Sequence, residues 1–363
     1  MQRILRILAP LALLIAALAL VACGGGDDAG GEKVSSDADV NTLLDQTFSG
    51  KDKKVDSGKV DMKLKLNVSG GGSSLNGPID ISLSGPFQSE GATKLPKFDL
   101  DVAFSGAGQN IKAGAESTGT KAFVNFNGED YAVSEQVFNQ FKQGFEQAAA
   151  QSQKQESSGQ GLAQLGINPK NWLKDPKNDG DSSVEGTDTV KITGGIDVGK
   201  LLDDVNNALS KAGSLGIPNT GQLPTKLTDE QKSMVEEAVK SASVEIETGK
   251  EDSILRRLAF KMSIEDPEGS GGKADIDFEI SLSGLNEDQE FPEPSDPKPF
   301  DELLGQLGGL GGLGTLGGAS SSGGSSSSSG GTSSAAAQEY AACVQKAGTD
   351  TAAAQKCAEA LTP

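Results

Sequence analysis

The chain has 363 residues, 51 acidic and 32 basic, for a net charge of −19, and it contains no histidine. An acidic chain repels nucleic-acid phosphates, and without imidazole there is neither a Ser-His-Asp triad nor a histidine-ligated zinc site. Aromatic residues amount to 4% while glycines number 48, so a substantial part of the chain is expected to stay outside any packed core.

Arg3 and Arg6 precede an apolar run over residues 7–22, broken only by Pro10. That run is shorter than the roughly 20 residues a membrane-spanning helix needs, and with its basic flank it reads as a signal peptide. It ends Leu20, Val21, Ala22, Cys23, which resembles the lipobox of bacterial lipoproteins. The resemblance implies cleavage before Cys23 and a diacylglyceryl group on its thiol, which anchors the chain on the outer face of the cell membrane. Two acyl chains hold where one holds only marginally. The net charge disfavours an anionic membrane surface, so the anchor rather than the protein surface is expected to keep the chain there. Residues 23–36 then form a flexible tether rich in glycine.

A domain over residues 37–290 follows. Residues 37–48 are predicted to be helical, with Val40, Leu43, Leu44 and Phe48 on one face and Asp37 or Asp39 as cap. Val60, Met62, Leu64, Leu66 and Val68 then alternate with polar residues. So do Ile79, Ile81 and Leu83, and Phe98, Leu100, Val102 and Phe104. Shorter strands are expected near 111–115 and 121–126, with Asn127 and Gly128 as a hairpin turn. The pattern predicts an antiparallel meander with one apolar and one solvated face. A helix from Ser134 carries Val137, Phe138, Phe141 and Phe145 at helical spacing, and residues 150–180 read as polar with short helical pieces around Trp172. Residues 184–196 read as one strand. Asp197 caps a helix bearing Leu201, Leu202, Val205 and Leu209, and Thr228 with Gln231 forms a capping-box pattern for the next. Three alternating strands close the domain, through Val244 and Ile246, then Leu258 to Ile264, then Ile276 to Leu282.

Pro292, Pro294, Pro297 and Pro299 are expected to end the domain, leaving a linker over 291–334. Its part from 305 holds 12 glycines and 10 serines, a disordered composition despite Leu307, Leu310, Leu313 and Leu316 at every third position. Residues 335–363 read as a short helical hairpin. Cys343 and Cys357, an even pair in an exported chain, are expected to bridge it.

Few motifs carry chemistry. The stretch from Gly312 to Gly317 matches a dinucleotide fingerprint as text, but it sits in linker with no strand before it. The acid pairs Asp99/Asp101, Glu245/Glu247 and Asp275/Asp277 fall where a strand's solvated face falls. No enzymatic role, cofactor or metal is expected.

The order helix, meander, helix, strand, helices and closing strands resembles the mycobacterial LppX/LprG lipoprotein family. The likeness is carried best by residues 184–198 leading into the helix at 199–212, and by the helix and strand over 40–66. The resemblance implies an α+β fold, a curved antiparallel half-barrel of the LolA kind with helices packed on its concave face. It also implies a lipid or glycolipid held between sheet and helices. Leu64, Leu66, Phe104, Phe260 and Phe278 are the candidate lining residues, chosen from the alternating apolar face. Periodicity alone does not distinguish such a cavity from a filled core. The alternative is an envelope interaction or sensory lipoprotein whose tail meets a protein partner.

Overall fold

The computed structural model describes residues 33–48, 53, 55–70, 77–106, 108–155, 169–212, 226–267 and 271–308. All lie in the first of two compact units, which extends to Gly309. Cys23, most of the tether, and everything from 309 onward, including Cys343 and Cys357, lie outside the described residues.

One sheet is assembled from two runs of strands that neighbour each other in sequence order. The first is β1 (Ser57–Ser69), β2 (Gly77–Gln88), β3 (Lys97–Gly106), β4 (Gln109–Ser117), β5 (Ala122–Phe126) and β6 (Glu129–Ala132). The second is β7 (Leu173–Val184), β8 (Thr187–Ile196), β9 (Val239–Gly249), β10 (Leu255–Glu265) and β11 (Lys273–Ser283). They join where β1 pairs with β11, and β12 (Lys298–Pro299) lies parallel to β6. The order β12-β6-β5-β4-β3-β2-β1-β11-β10-β9-β8-β7 does not close on itself. Twelve strands exceed the roughly ten that a twisted open sheet accommodates without curling, and the result is an open half-barrel. Gly85 stands at a close approach of two strands. At its φ of 145° a Cβ would lie 1.9 Å from the Asp99 carbonyl oxygen, so only glycine lets β2 and β3 approach there.

The helices are α1 (Val40–Phe48), α2 (Glu135–Gln155), α3 (Pro169–Trp172), α4 (Val198–Ala212), α5 (Asp229–Ala238) and α6 (Phe300–Gly308). Their starts follow from side-chain acceptors that satisfy free N–H groups. Asn41 N donates to Asp39 Oδ1 at 2.9 Å, and Lys200 N donates to Asp197 Oδ1 at 3.1 Å. Thr228 and Gln231 make the reciprocal capping box at 3.2 and 2.9 Å. Helices α1, α4 and α5 lay Leu43, Leu44, Leu201, Leu202, Val205, Val235 and Ala238 on the apolar side of β8–β11, where they share one buried cluster with Ile192, Ile246 and Phe278.

Three expectations from the sequence are corrected. Residues 184–196 are a hairpin: β7 ends at Val184, the turn carries Glu185 and Gly186 at φ 48° and 83°, and β8 begins at Thr187. The polar stretch before it is the edge strand β7, whose pairing slips between Lys174 and Lys177, around Pro176, and again between Asn178 and Gly180. An edge tolerates proline and such bulges because one side of its backbone needs no partner. The packed unit also does not stop at 290. The proline-rich segment crosses to the far edge of the sheet, pairs there as β12 and continues as α6.

Candidate functional site

The strand registers align the apolar face into continuous cross-strand rows. One row runs Val244, Phe260, Phe278, Leu64, Ile81, Phe104, Ile111 from β9 to β4. The next runs Ile246, Leu258, Ile280, Met62, Leu83, Val102, Ala113, Phe126. Directly opposed residues share a face. Four of the five candidate lining residues, Leu64, Phe104, Phe260 and Phe278, therefore stand in a single row, and Leu66 stands in the adjacent row between Ile276 and Ile79.

Burial divides these rows. Phe278 and Phe260 are 2% and 9% exposed, packed under the helices. Leu64 and Leu66 are half-buried at the margin of that core, and Phe104 is half-buried beyond it. Val102 and Ile111 reach 38% exposure. At the far edge cover returns where α6 meets β6. There Leu303 and Tyr131 are buried, and the Tyr131 hydroxyl donates to Glu129 Oε2 at 2.8 Å while Gln306 Nε2 donates to it at 3.4 Å. Between the two covered margins lies a strip of β2, β3 and β4 whose apolar side chains are half-buried, as at Ile81, Leu83 and Phe104, or exposed, as at Val102 and Ile111. Ile81, Leu83, Val102 and Ile111 belong to it but were not singled out from the sequence as lining. Their signal is the continuation of the Leu64 and Met62 rows, which emerges only once strand register is known.

The opposite face is ionic where β8–β11 lie. Arg257 binds Glu245 and Glu247 at 3.1 Å and Glu279 at 2.7 Å, and Lys191 binds Glu245 at 2.9 Å. Hydrogen bonds from Lys191 and Arg257 hold the half-buried Glu245 carboxyl below its usual range, whereas Glu247, expected on a solvated face, is buried and also accepts from the Ser182 and Thr189 hydroxyls at 2.7 and 3.0 Å. Toward β4 the same face is acidic. Glu116 is 8% exposed and its Oε1 has no hydrogen-bond partner among the described residues. Burial, then the neighbouring Asp99, Glu293 and Asp130, pushes its carboxyl up to about 7. Burial and the charges of Asp101 and Asp130 raise Asp99 as well. Among the described residues no group of three His, Cys, Asp or Glu side chains converges in a way that could hold a metal ion.

A cleft of about 440 Å³ opens at the start of α4, lined by Leu173, Lys174, Ile196, Asp197, Val198, Gly199, Lys200 and Glu236. Its Asp197 already caps the helix, and a Cβ on Gly199 would lie 2.8 Å from Glu236 Oε1, so two carboxylates occupy that N-terminus.

No family model and no curated protein matches the chain. Among solved structures it is similar to LprF from Mycobacterium bovis, at 14% identity and a TM-score of 0.30, over 70% of this chain and 96% of that one. It is similar also to the lipoprotein LppX of Mycobacterium tuberculosis, at 10% identity and a TM-score of 0.28, over 70% of this chain and all of that one.

Proposed function

We propose that the protein binds the acyl chains of a lipid or glycolipid along the uncovered strip of β2–β4, without catalysis, as a carrier anchored through Cys23 at the outer face of the cell membrane. The observation that carries this reading is the continuity of the rows. The same alternation that builds the core under α1, α4 and α5 continues outward through Ile81, Leu83, Val102, Phe104 and Ile111, which among the described residues lie outside the buried core cluster. Soluble proteins seldom leave a contiguous apolar patch of this kind without a partner. A strip between two covered margins suits an extended hydrocarbon chain, since ligand sites are usually concave, largely apolar and pre-formed. Headgroup chemistry does not enter the apolar rows, so selectivity there would rest on chain length and shape.

Native mass spectrometry of the protein purified from its own envelope tests the reading. The expected result is a population carrying acyl-containing adducts, which falls sharply in Val102→Glu and Ile111→Glu, because each places a carboxylate in the strip. Both sites are more than a third exposed, so the fold should lose less than about 1 kcal/mol. Wild-type protein that carries no lipid, and takes up no acyl probe from solution, would sink the proposal.

A further inference from the structure

Among its described side chains, helix α2 buries Phe138 near its start and leaves its other large apolar residues exposed. Phe138 is 3% exposed, while Phe145, two turns on and near the same side, is 37% exposed. Phe141 is 58% and Val137 49% exposed, so half of the described exposed large apolar side chains stand on this one helix. Lysines gather beside it. Lys142 Nζ donates to the Gly119 carbonyl at 2.9 Å, in the turn between β4 and β5. Lys97 passes the same turn, its Cε 3.6 Å from where a Cβ on Gly119 would be, and pairs with Glu90 at 2.8 Å. Lys94 and Lys142 add their charges to that of Lys97 at Glu90. Three lysines against Glu90 and Glu146, the latter one turn beyond Lys142, leave a local excess of one positive charge in a chain of net charge −19.

We propose that Phe141 and Phe145 of α2, with Lys94, Lys97 and Lys142, form a docking patch for an anionic lipid bilayer surface. The chemistry matches an interfacial helix, in which phenylalanines sit at the boundary of acyl chains and headgroups and lysines meet the lipid phosphates. It matches a protein partner less well, since interface anchors are typically Trp, Tyr and Arg and lysine is depleted there. The overall negative charge does not prevent docking. Charges farther than about 8 Å from the surface are screened at physiological salt, and the patch is what comes within that distance. The lipidated Cys23 would keep the chain near the membrane, and this patch would set which side of the domain faces it. The inference goes beyond acyl binding in the strip and stands independently of it.

The test is vesicle flotation of the chain beginning at Gly24, which lacks the anchor cysteine but keeps every described residue. The probes are vesicles of phosphatidylcholine alone and with about a third phosphatidylglycerol. Wild type should float with the anionic vesicles and not with the neutral ones, and added salt should release it. Phe141→Ser with Phe145→Ser should abolish flotation. Lys94→Gln with Lys97→Gln should weaken it by about five-fold for each charge removed. All four positions are exposed or half-buried, so unchanged circular dichroism separates these losses from unfolding. Uptake of an acyl probe delivered from solution, without any bilayer, should be unaffected in the same variants. That readout fails if the strip is misread, whereas flotation fails if the patch is. No flotation of wild type, equal flotation with both vesicles, or flotation unchanged in the variants would overturn the proposal. Capture of the patch by an acidic protein in place of vesicles would do the same.

Discussion

Glu116 is the residue whose environment departs furthest from what its neighbours in sequence announce. On β4 it stands between Ala115 and Ser117 with no local sign of burial, and only the folded sheet sets it against Asp99 and Asp130 and brings Glu293 beside it. Its carboxyl ionises near 4.5 in the unfolded chain and near 7 in the fold. The folded state therefore binds the extra proton between those values. The cost of ionising Glu116 is absent below about 4.5, grows as pH rises, and is complete above about 7. Glu116→Gln removes it. The variant should match wild type in urea unfolding at pH 4.5 and exceed it at pH 8 by about 2–3 kcal/mol. Equal stability at both values would show that water or rearrangement solvates the carboxylate. Lys53 is the converse case. Its ammonium donates to the carbonyls of Thr47 and Ser253 at 2.9 and 2.6 Å and to that of Gln46, closing the end of α1, while burial lowers its pKa to about 8. Lys53→Met strips three carbonyls of their donor and should cost about 1–3 kcal/mol at pH 7, read by thermal or urea melting.

At the scale of elements, what the sequence revealed and what it hid follow from burial. Strands with one buried face announce themselves through alternation, and β1, β3, β10 and β11 lie where Leu64, Phe104, Phe260 and Phe278 predict them. Helix starts were legible because Asp197, Thr228 and Gln231 perform capping that depends on local sequence alone. Strand β7 was not legible, since Leu173 is its only large apolar residue before Val184 and its pairing is broken at Pro176 and again before Gly180. Beyond its pairing with β8, what joins it to the body is non-local: Asn178 Nδ2 donates to the Ser36 and Ala38 carbonyls at 2.7 and 2.9 Å, and just before the strand Trp172 Nε1 of α3 donates to Asp204 Oδ2 at 2.7 Å. The division of the apolar face into core and strip was equally invisible, because period-two alternation is the same on both sides of β1. It is testable by truncation. Phe278→Ala, under the helices, should cost about 3–5 kcal/mol, whereas Ile111→Ala, in the open strip, should cost less than about 1 kcal/mol. Comparable losses in urea melts would mean that the strip is covered in solution.

At the scale of the first compact unit, a strap crosses the sheet where the sequence was read as the start of a linker. Proline forbids a central strand, and the run from Pro292 to Pro299 was therefore read as the end of the domain. Proline does not forbid an extended segment at an edge, and residues 284–299 use that freedom. The strap leaves β11, where Ser57 Oγ donates to the Glu287 carbonyl at 2.5 Å and Asp56 N to Asn286 Oδ1 at 2.8 Å. It passes β2, where Gln289 N donates to Gln88 Oε1 at 3.3 Å, and then the turn before β5, where Lys121 binds Glu293 at 2.6 Å. It reaches β6, where Lys298 binds Glu129 at 2.7 Å, and delivers α6 with Leu303 at the buried Tyr131. The centre of the sheet is thereby tied to its far edge by a route that adds to the pairing of β3–β5 and touches it at Lys121 and Glu116. Ending the chain after Gln289 would expose Tyr131 and the β6 edge and free Glu116 of its Glu293 neighbour. Losing one buried leucine and uncovering one buried tyrosine should lower stability by roughly 2–5 kcal/mol, with the acid contact returning only part of that. Ending it after Gly309, at the boundary of the first compact unit, should leave the melt unchanged. Urea titrations of the two truncations beside the full chain make the comparison. If the shorter one melts with the longer, β12 and α6 contribute nothing to the fold, and the far margin of the strip is not held in place by the strap.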